Sequence, residues 1–156
     1  MKNFQNKAID VADYNDQSAM PKVTEYMTPV KRLITVKEDS PILQALSKLL
    51  DKKITGVPVL NDAGEVVGLL DDKDCLNILL GGTYYNHPVA QDKVSAYMSN
   101  VMKSISIDTD IFKVTNIFLT TPYKRLIVMD HDGKLAGQIS RRDILRAIWD
   151  MNKNLV

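Results

Sequence analysis

Val23-Thr24-Glu25-Tyr26-Met27-Thr28 returns 71 positions later as Val94-Ser95-Ala96-Tyr97-Met98-Ser99. The echo continues outward from there. Ile34-Thr35-Val36 recurs as Ile105-Ser106-Ile107 at the same offset of 71. Val57-Pro58-Val59-Leu60-Asn61-Asp62-Ala63-Gly64 then aligns with Leu126-Ile127-Val128-Met129-Asp130-His131-Asp132-Gly133 at an offset of 69. Gly68-Leu69-Leu70-Asp71-Asp72-Lys73-Asp74 aligns with Gly137-Gln138-Ile139-Ser140-Arg141-Arg142-Asp143 at the same 69. The two lost positions fall just after the first strand, where a loop absorbs them. A repeat at one fixed period decides the architecture before any single element does: one supersecondary unit is written twice.

Each unit has the same grammar. A short helix carries the Tyr-Met pair, and a β-branched strand follows, Leu33–Val36 in copy one and Ser104–Ile107 in copy two. Next comes a helix with apolar residues at three- and four-residue spacing: Ile42, Leu43, Leu46, Leu49 and Leu50, then Ile111, Val114, Ile117 and Phe118. Ser40-Pro41 supplies a cap and a preset φ for the first of these helices. Two strands then turn around Asn61–Gly64 and Asp130–Gly133. A last helix is predicted from about Asp72 to Leu80 and from about Arg141 to Met151. The fold class is α+β, with order strand-helix-strand-strand-helix in each copy. A three-stranded unit of this size is marginal alone, so packing of the two copies is expected to bury both apolar sheet faces. The divisions read 1–21 as a polar arm, 22–80 as copy one, 81–92 as a turn-rich connector and 93–152 as copy two.

The 156 residues carry a formal net charge of +1, which gives no global attraction to nucleic acid or an anionic membrane. The halves differ, however. Residues 22–80 hold 8 Lys and Arg against 9 Asp and Glu, whereas residues 93–153 hold 10 against 6. Copy two is therefore the better host for an anion. Cys75 is the one cysteine, so no intrachain disulfide forms, and a reducing cytosol suits the chain. Cys75 is expected as a small core residue. His87 and His131 fall in loops, and no metal site is expected. No apolar run approaches the ~20 residues of a membrane span, and the N-terminus lacks an apolar signal core, so a cytoplasmic location is expected. No nucleophile–base pair, paired catalytic carboxylates or phosphate-binding Gly-Lys loop is visible, so an enzyme is not expected.

The repeated set resembles a tandem pair of cystathionine β-synthase (CBS) domains, a Bateman module. The features that carry the likeness are Tyr26-Met27-Thr28-Pro29, Gly56-Val57-Pro58-Val59, the Asp-rich hairpin turns and the closing Gly137-Gln138-Ile139-Ser140-Arg141-Arg142-Asp143. The resemblance covers about residues 22–152. It implies two motifs packed with pseudo-two-fold symmetry and a regulatory role through an adenosine nucleotide such as AMP, ADP or ATP. It also implies a homodimer and an effector protein acting in trans.

Placed on this sequence, the resemblance makes copy two the good cleft. Ser140 stands at a strand–helix junction, where a hydroxyl and free N–H groups face a phosphate. Asp143 holds the position of a ribose-reading aspartate; a carboxylate offers acceptors to two neighbouring hydroxyls. Arg125, Arg141 and Arg142 are candidates for phosphate charge. Ser104, Ile105 and Ile127 are candidates to line the slot for the base, and Tyr123 to stack on it. Ser-x-x-Asp is equally a helix capping box, and the two roles are compatible. In copy one the doubtful second site comprises Thr55, Val57, Pro58, Asp71 and Asp74. Asp71 there replaces the serine, which disfavours a phosphate. That cleft is open to a nucleotide, to uncharged adenosine, to a cation with the phosphate, or to nothing, with Asp71 a plain N-cap. Trp149 with Ile144, Leu145 and Ile148 forms an apolar helix stripe suited to packing. The competing reading is a constitutive dimeric scaffold with vestigial clefts.

Overall fold

A computed structural model describes residues 20–84, 88–100 and 102–156. Most of the expected arm, together with Tyr85 and His87, lies outside the described residues. The chain begins with a 3-10 turn, Val23–Glu25, and a two-residue strand β1 (Thr28–Pro29). Copy one continues as β2 (Val36–Lys37), α1 (Ile42–Asp51), β3 (Gly56–Leu60), β4 (Val66–Asp71) and α2 (Asp72–Tyr84). Copy two opens on a 3-10 turn, Val94–Ala96, and runs β5 (Ser104–Ser106), α3 (Ile111–Thr120), β6 (Arg125–Met129), β7 (Leu135–Ser140) and α4 (Arg141–Asn152). In each copy the first strand runs parallel to the second, and the second and third form an antiparallel hairpin.

Local chemistry explains the hairpins and the helices. Gly64 and Gly133 take φ of +80° and +75°, which a side chain resists. The Asn61 side chain accepts the Glu65 N–H at 2.9 Å, and Asp130 accepts the N–H groups of Asp132 and Lys134. Helix α1 buries Ile42, Ala45 and Leu49, while α3 buries Ile111, Val114 and Phe118, the inward stripe at three- and four-residue spacing. Leu43 and Leu50 face out.

Three boundaries differ from expectation. Strand β2 is confined to Val36–Lys37, because only that stretch reaches the Val59–Leu60 end of β3. Helix α1 starts at Ile42 with Pro41 as its N-cap and no side-chain cap from Ser40. Helix α2 runs on through Gly81 and Gly82 to Tyr84. Glycine costs about 1 kcal/mol of helix propensity relative to alanine but leaves the backbone ladder intact.

The larger difference concerns which copy each leading segment serves. Reading along the chain groups Val23–Thr28 with copy one and Val94–Ser99 with copy two. The structure exchanges them. Val23, fully buried, belongs to the core of copy two with Val114, Leu126, Val128 and Ile139. Val94, also fully buried, closes the core of copy one with Ile42, Val57, Val59 and Leu70. The hydrogen bonds repeat the exchange. The Val23 N–H donates to the Thr109 carbonyl at 2.8 Å and the Val94 N–H to the Ser40 carbonyl at 2.9 Å. The Ile111 N–H reaches the Pro21 carbonyl, and the Ile42 N–H reaches the Asp92 carbonyl, both at 2.9 Å. Strand β1 then pairs with β7, giving copy two the order β1-β7-β6-β5, while Ser99 and Leu69 exchange backbone bonds of 2.9 and 2.8 Å. Equivalent residues thus make equivalent contacts, which is a pseudo-two-fold arrangement.

Each crossing requires a glycine. A Cβ at Gly68 would stand 2.7 Å from the Ser99 carbonyl oxygen and 3.0 Å from Met98 Sδ. A Cβ at Gly137 would collide with the Thr28 carbonyl oxygen and with Met27 Sδ. The Tyr-Met pair of the repeat is therefore packing against the opposite sheet. Alanine at either glycine is favoured by intrinsic backbone preference, so any loss measures the crossing itself. Gly68→Ala and Gly137→Ala are each expected to lower stability by about 1–3 kcal/mol in urea unfolding. An unchanged or higher stability contradicts this account of the exchange.

Candidate functional site

At the end of β7 the backbone of Ser140 is extended and α4 begins at Arg141. The Ser140 N–H donates to Asp143 Oδ2 at 2.8 Å, and its hydroxyl lies 3.1 Å from the same oxygen. The Asp143 N–H donates back to Ser140 Oγ at 3.4 Å, completing a capping box. The other carboxylate oxygen, Oδ1, accepts from Arg146 Nη2 at 2.7 Å, and that guanidinium also donates to the Tyr26 carbonyl at 2.9 Å. Among the described residues Asp143 is the buried charged one, and this partner set is what permits its burial.

Beside this cap opens a cavity of about 440 Å³ lined by Met27, Thr28, Arg32, Arg142, Asp143 and Arg146. Three guanidiniums thus face one carboxylate. Arg146 is compensated by Asp143, whereas Arg32 and Arg142 are exposed and, among the described residues, make no hydrogen bond or ion pair. Such a set suits an anion chemically, with α4 adding the partial positive charge of its N-terminus.

The structure distributes the expected site residues unevenly. It gathers Ser140, Arg142 and Asp143 at this cap. Ile127 is fully buried in β6, Ile105 packs half-buried on the copy-two core, and Ser104 is exposed on β5. Tyr123 and Arg125, grouped with copy two by sequence, line instead the cavity of copy one. The reason is the pseudo-axis: Arg125 is the counterpart of Gly56, and the starts of β3 and β6 meet there. Arg141 turns to the Tyr123 carbonyl, 3.3 Å away.

The copy-one cavity, about 330 Å³, is built on Val57, Leu69, Asp71, Asp72, Asp74 and Ser99 of the equivalent elements. Thr55 and Pro58 stand outside its lining, Thr55 at the edge and Pro58 buried in β3. Asp71 caps α2 as Ser140 caps α4: the Asp74 N–H donates to Asp71 Oδ1 at 2.8 Å, and Asp74 Oδ2 accepts the Asp71 N–H at 3.0 Å. Across the cavity the Arg125 guanidinium lies flat on Gly56, where a Cβ would be 2.6 Å from Nη1, and donates to Thr55 Oγ1 at 2.8 Å. Burial lowers the Arg125 pKa from its ordinary value, while Asp71 and Asp72 pull it back up. Burial raises Asp74, and the carboxylate of Asp71 adds to that. Cys75, also raised by burial, packs on the copy-one core. His131 lies on the surface, 3.4 Å from Asp108.

Sequence reasoning missed Met27, Thr28, Arg32 and Arg146. Arg146 had a readable signal, one helical turn beyond Asp143 on the same face. Arg32 had none, because only the exchange of leading segments carries it to copy two.

The repeated architecture has counterparts among known proteins. The CBS domain matches residues 23–81 and 94–150. The chain belongs to the CBS domain family. It is similar to the chloroplastic CBS domain-containing protein CBSX2 of Arabidopsis thaliana, 27% identical over 171 residues, which spans 91% of this chain and 72% of that protein. A crystal structure of CBSX2 in complex with AMP superposes with a TM-score of 0.73 at 30% identity, covering 84% of this chain and 98% of that one. The gamma-3 subunit of the Bos taurus 5′-AMP-activated protein kinase is 28% identical over 120 residues, 74% of this chain but 24% of that protein. Among the described residues no helix is long and apolar enough to cross a membrane, and no group of three His, Cys, Asp or Glu is placed to hold a metal.

The raised pKa of Asp74 gives a pH signature. A carboxyl that binds its proton more tightly folded than unfolded costs stability when ionised. The cost is full above the folded pKa and disappears as pH falls to the ordinary value near 4. Asp74→Asn, which keeps an acceptor for the Asp71 N–H, is expected to melt above the unsubstituted protein at pH 7. The difference should close as pH falls toward 4. A gap that widens on acidification contradicts the assignment.

Proposed function

We propose that the chain is a regulatory module that takes an adenosine nucleotide of the AMP, ADP or ATP type in the copy-two cleft and signals by changing shape. The observation that carries this reading is the pair of guanidiniums, Arg32 and Arg142, without a partner among the described residues, on one cavity with the capped Asp143. Guanidiniums pair bidentately with phosphate oxygens, and about 440 Å³ is the usual volume of a small-molecule site. The AMP complex of the similar CBSX2 supports the ligand class. Because Thr28 and Arg32 come from the leading segment of copy one, a ligand here bridges the two copies. It shifts their arrangement by as much as its affinity differs between the two states. The readout passes to an effector protein in trans.

Isothermal titration tests this. AMP, ADP or ATP is expected to bind, with Arg32→Ala and Arg142→Ala each weakening the tightest of them about 10-fold or more, since a hydrogen bond to a charged group contributes about 1.5–3 kcal/mol. Arg125→Ala, on the other cavity, should leave that affinity within a factor of about 2–3. Absence of heat and of any melting shift at millimolar nucleotide sinks the reading and leaves the protein a scaffold.

The module works as a homodimer in this proposal. Its helices turn large apolar side chains outward: Leu76 and Leu79 on α2, Phe112 and Leu119 on α3, and Leu145 and Trp149 on α4, the last 57% exposed. Apolar surface repeated on both copies suits a self-complementary contact. Sedimentation should give a dimer that Trp149→Glu, buried in no core, converts toward monomer. A monomeric unsubstituted protein rules the dimer out.

A further inference from the structure

Gln138 carries a side-chain oxygen, Oε1, that is sealed from solvent and has no hydrogen-bond partner among the described residues. Buried polar atoms are almost always paired, so an orphan calls for a reason. Among the described residues its amide nitrogen makes no hydrogen bond either. The position is informative. In β7 the side chains alternate, and Ile139 enters the copy-two core, so Gln138 faces the opposite side of the sheet. There it stands directly across from Thr28 of β1 and from Ile127 of β6. Residues directly opposite on neighbouring strands share a face, and Thr28 lines the arginine-bearing cavity. Copy one gives the same answer. The counterparts of Gln138 and Thr28 are Leu69 and Ser99, which bridge each other and both line the copy-one cavity. Gln138 thus lies on the same side of the sheet as Thr28, next to the present lining of the copy-two cavity, at a position where copy one has an apolar leucine.

Resting on the nucleotide reading above, we propose that Gln138 selects the base. Its amide pairs with the adenine edge, the carbonyl accepting from the exocyclic amine and the NH₂ donating to the adjacent ring nitrogen. Glutamine amides match adenine in this bidentate way. The arrangement divides the cleft by chemistry: Arg32 and Arg142 at the phosphate, Asp143 between, and Gln138 with the apolar Ile127 at the base. It also explains why a polar side chain is kept where an apolar one fits, since the amide remains unpaired until the base arrives. A site built to hydrogen-bond a substrate group rejects the analogue that lacks it.

The probe is purine riboside 5′-monophosphate, which differs from AMP by the missing exocyclic amine. The full chain is expected to bind AMP roughly 10-fold more tightly than this analogue. Gln138→Leu, which installs the copy-one residue, and Gln138→Met, which keeps the length, should bring the two affinities together. Both variants should melt no lower than the unsubstituted protein without ligand, because they remove a buried unpaired atom. Equal binding of AMP and the analogue by the unsubstituted protein, or a preference that survives in both variants, overturns the role of Gln138 and leaves the nucleotide reading standing. Binding of neither nucleotide overturns both. A marked drop in melting temperature in both variants assigns the amide to the fold and overturns the proposal.

Discussion

The exchange of Val23 and Val94 between copies is the constraint on which the molecule rests. Each valine is fully buried in a core that its own copy does not make. Burial of such a side chain contributes about 1.5–3 kcal/mol, and here the same segment also adds backbone hydrogen bonds to the opposite sheet. A unit of three short strands and two helices cannot cover both faces of its sheet. The exchange closes each unit with a piece of the other, so neither copy is complete alone. Gly68 and Gly137 are the local requirement, since the crossing backbones pass where a Cβ would stand.

The same crossing builds the clefts. Without it, Ser140 and Asp143 would be a capping box and nothing more, as the Ser-x-x-Asp spacing alone allows. With it, Thr28 and Arg32 come to face Arg142 and Asp143 across a cavity. Capping and the lining of the cavity then divide the labour within one residue set. The carboxylate of Asp143 is held by Ser140 on one oxygen and Arg146 on the other, which fixes its position with respect to the two uncommitted guanidiniums.

How much of this the sequence carried depends on the kind of information. The repeat, the hairpins turning on Gly64 and Gly133, and the inward stripes of α1 and α3 are local or periodic, and each was legible. So was membership of the CBS domain family, because an ordered set of weak motifs occurs twice. The exchange was not legible for a specific reason: the two leading segments are near-copies, so the pattern reads identically whichever core receives them. The exchange and the pseudo-axis it creates account for the misplaced residues. Arg125 and Tyr123 were grouped with copy two but line the other cavity, and Arg32 was invisible as a copy-two residue. Asp71 was readable as an N-cap because capping is a local matter, whereas Asp74, expected as a site residue, is also the partner that closes this cap.

The pseudo-axis turns a symmetric scaffold into two unlike sites. At the start of the second strand one copy has Gly56 and the other Arg125, and the absence of a side chain on one admits the guanidinium of the other. Symmetric residues would not do this: two arginines would repel across the axis, and two glycines would leave it empty. The charge that Arg125 carries is thereby moved from its own copy into the cavity walled by Asp71, Asp72 and Asp74. Copy two keeps Arg32 and Arg142 on its cavity, and copy one gains a counter-charge for its aspartates. On one repeated backbone copy one has Gly for Arg at the axis, Asp for Ser at the cap, Asp for Arg at the next position and Leu for Gln on the third strand, and these differences accompany one cavity lined by three guanidiniums and a carboxylate and another in which Asp71, Asp72 and Asp74 face Arg125.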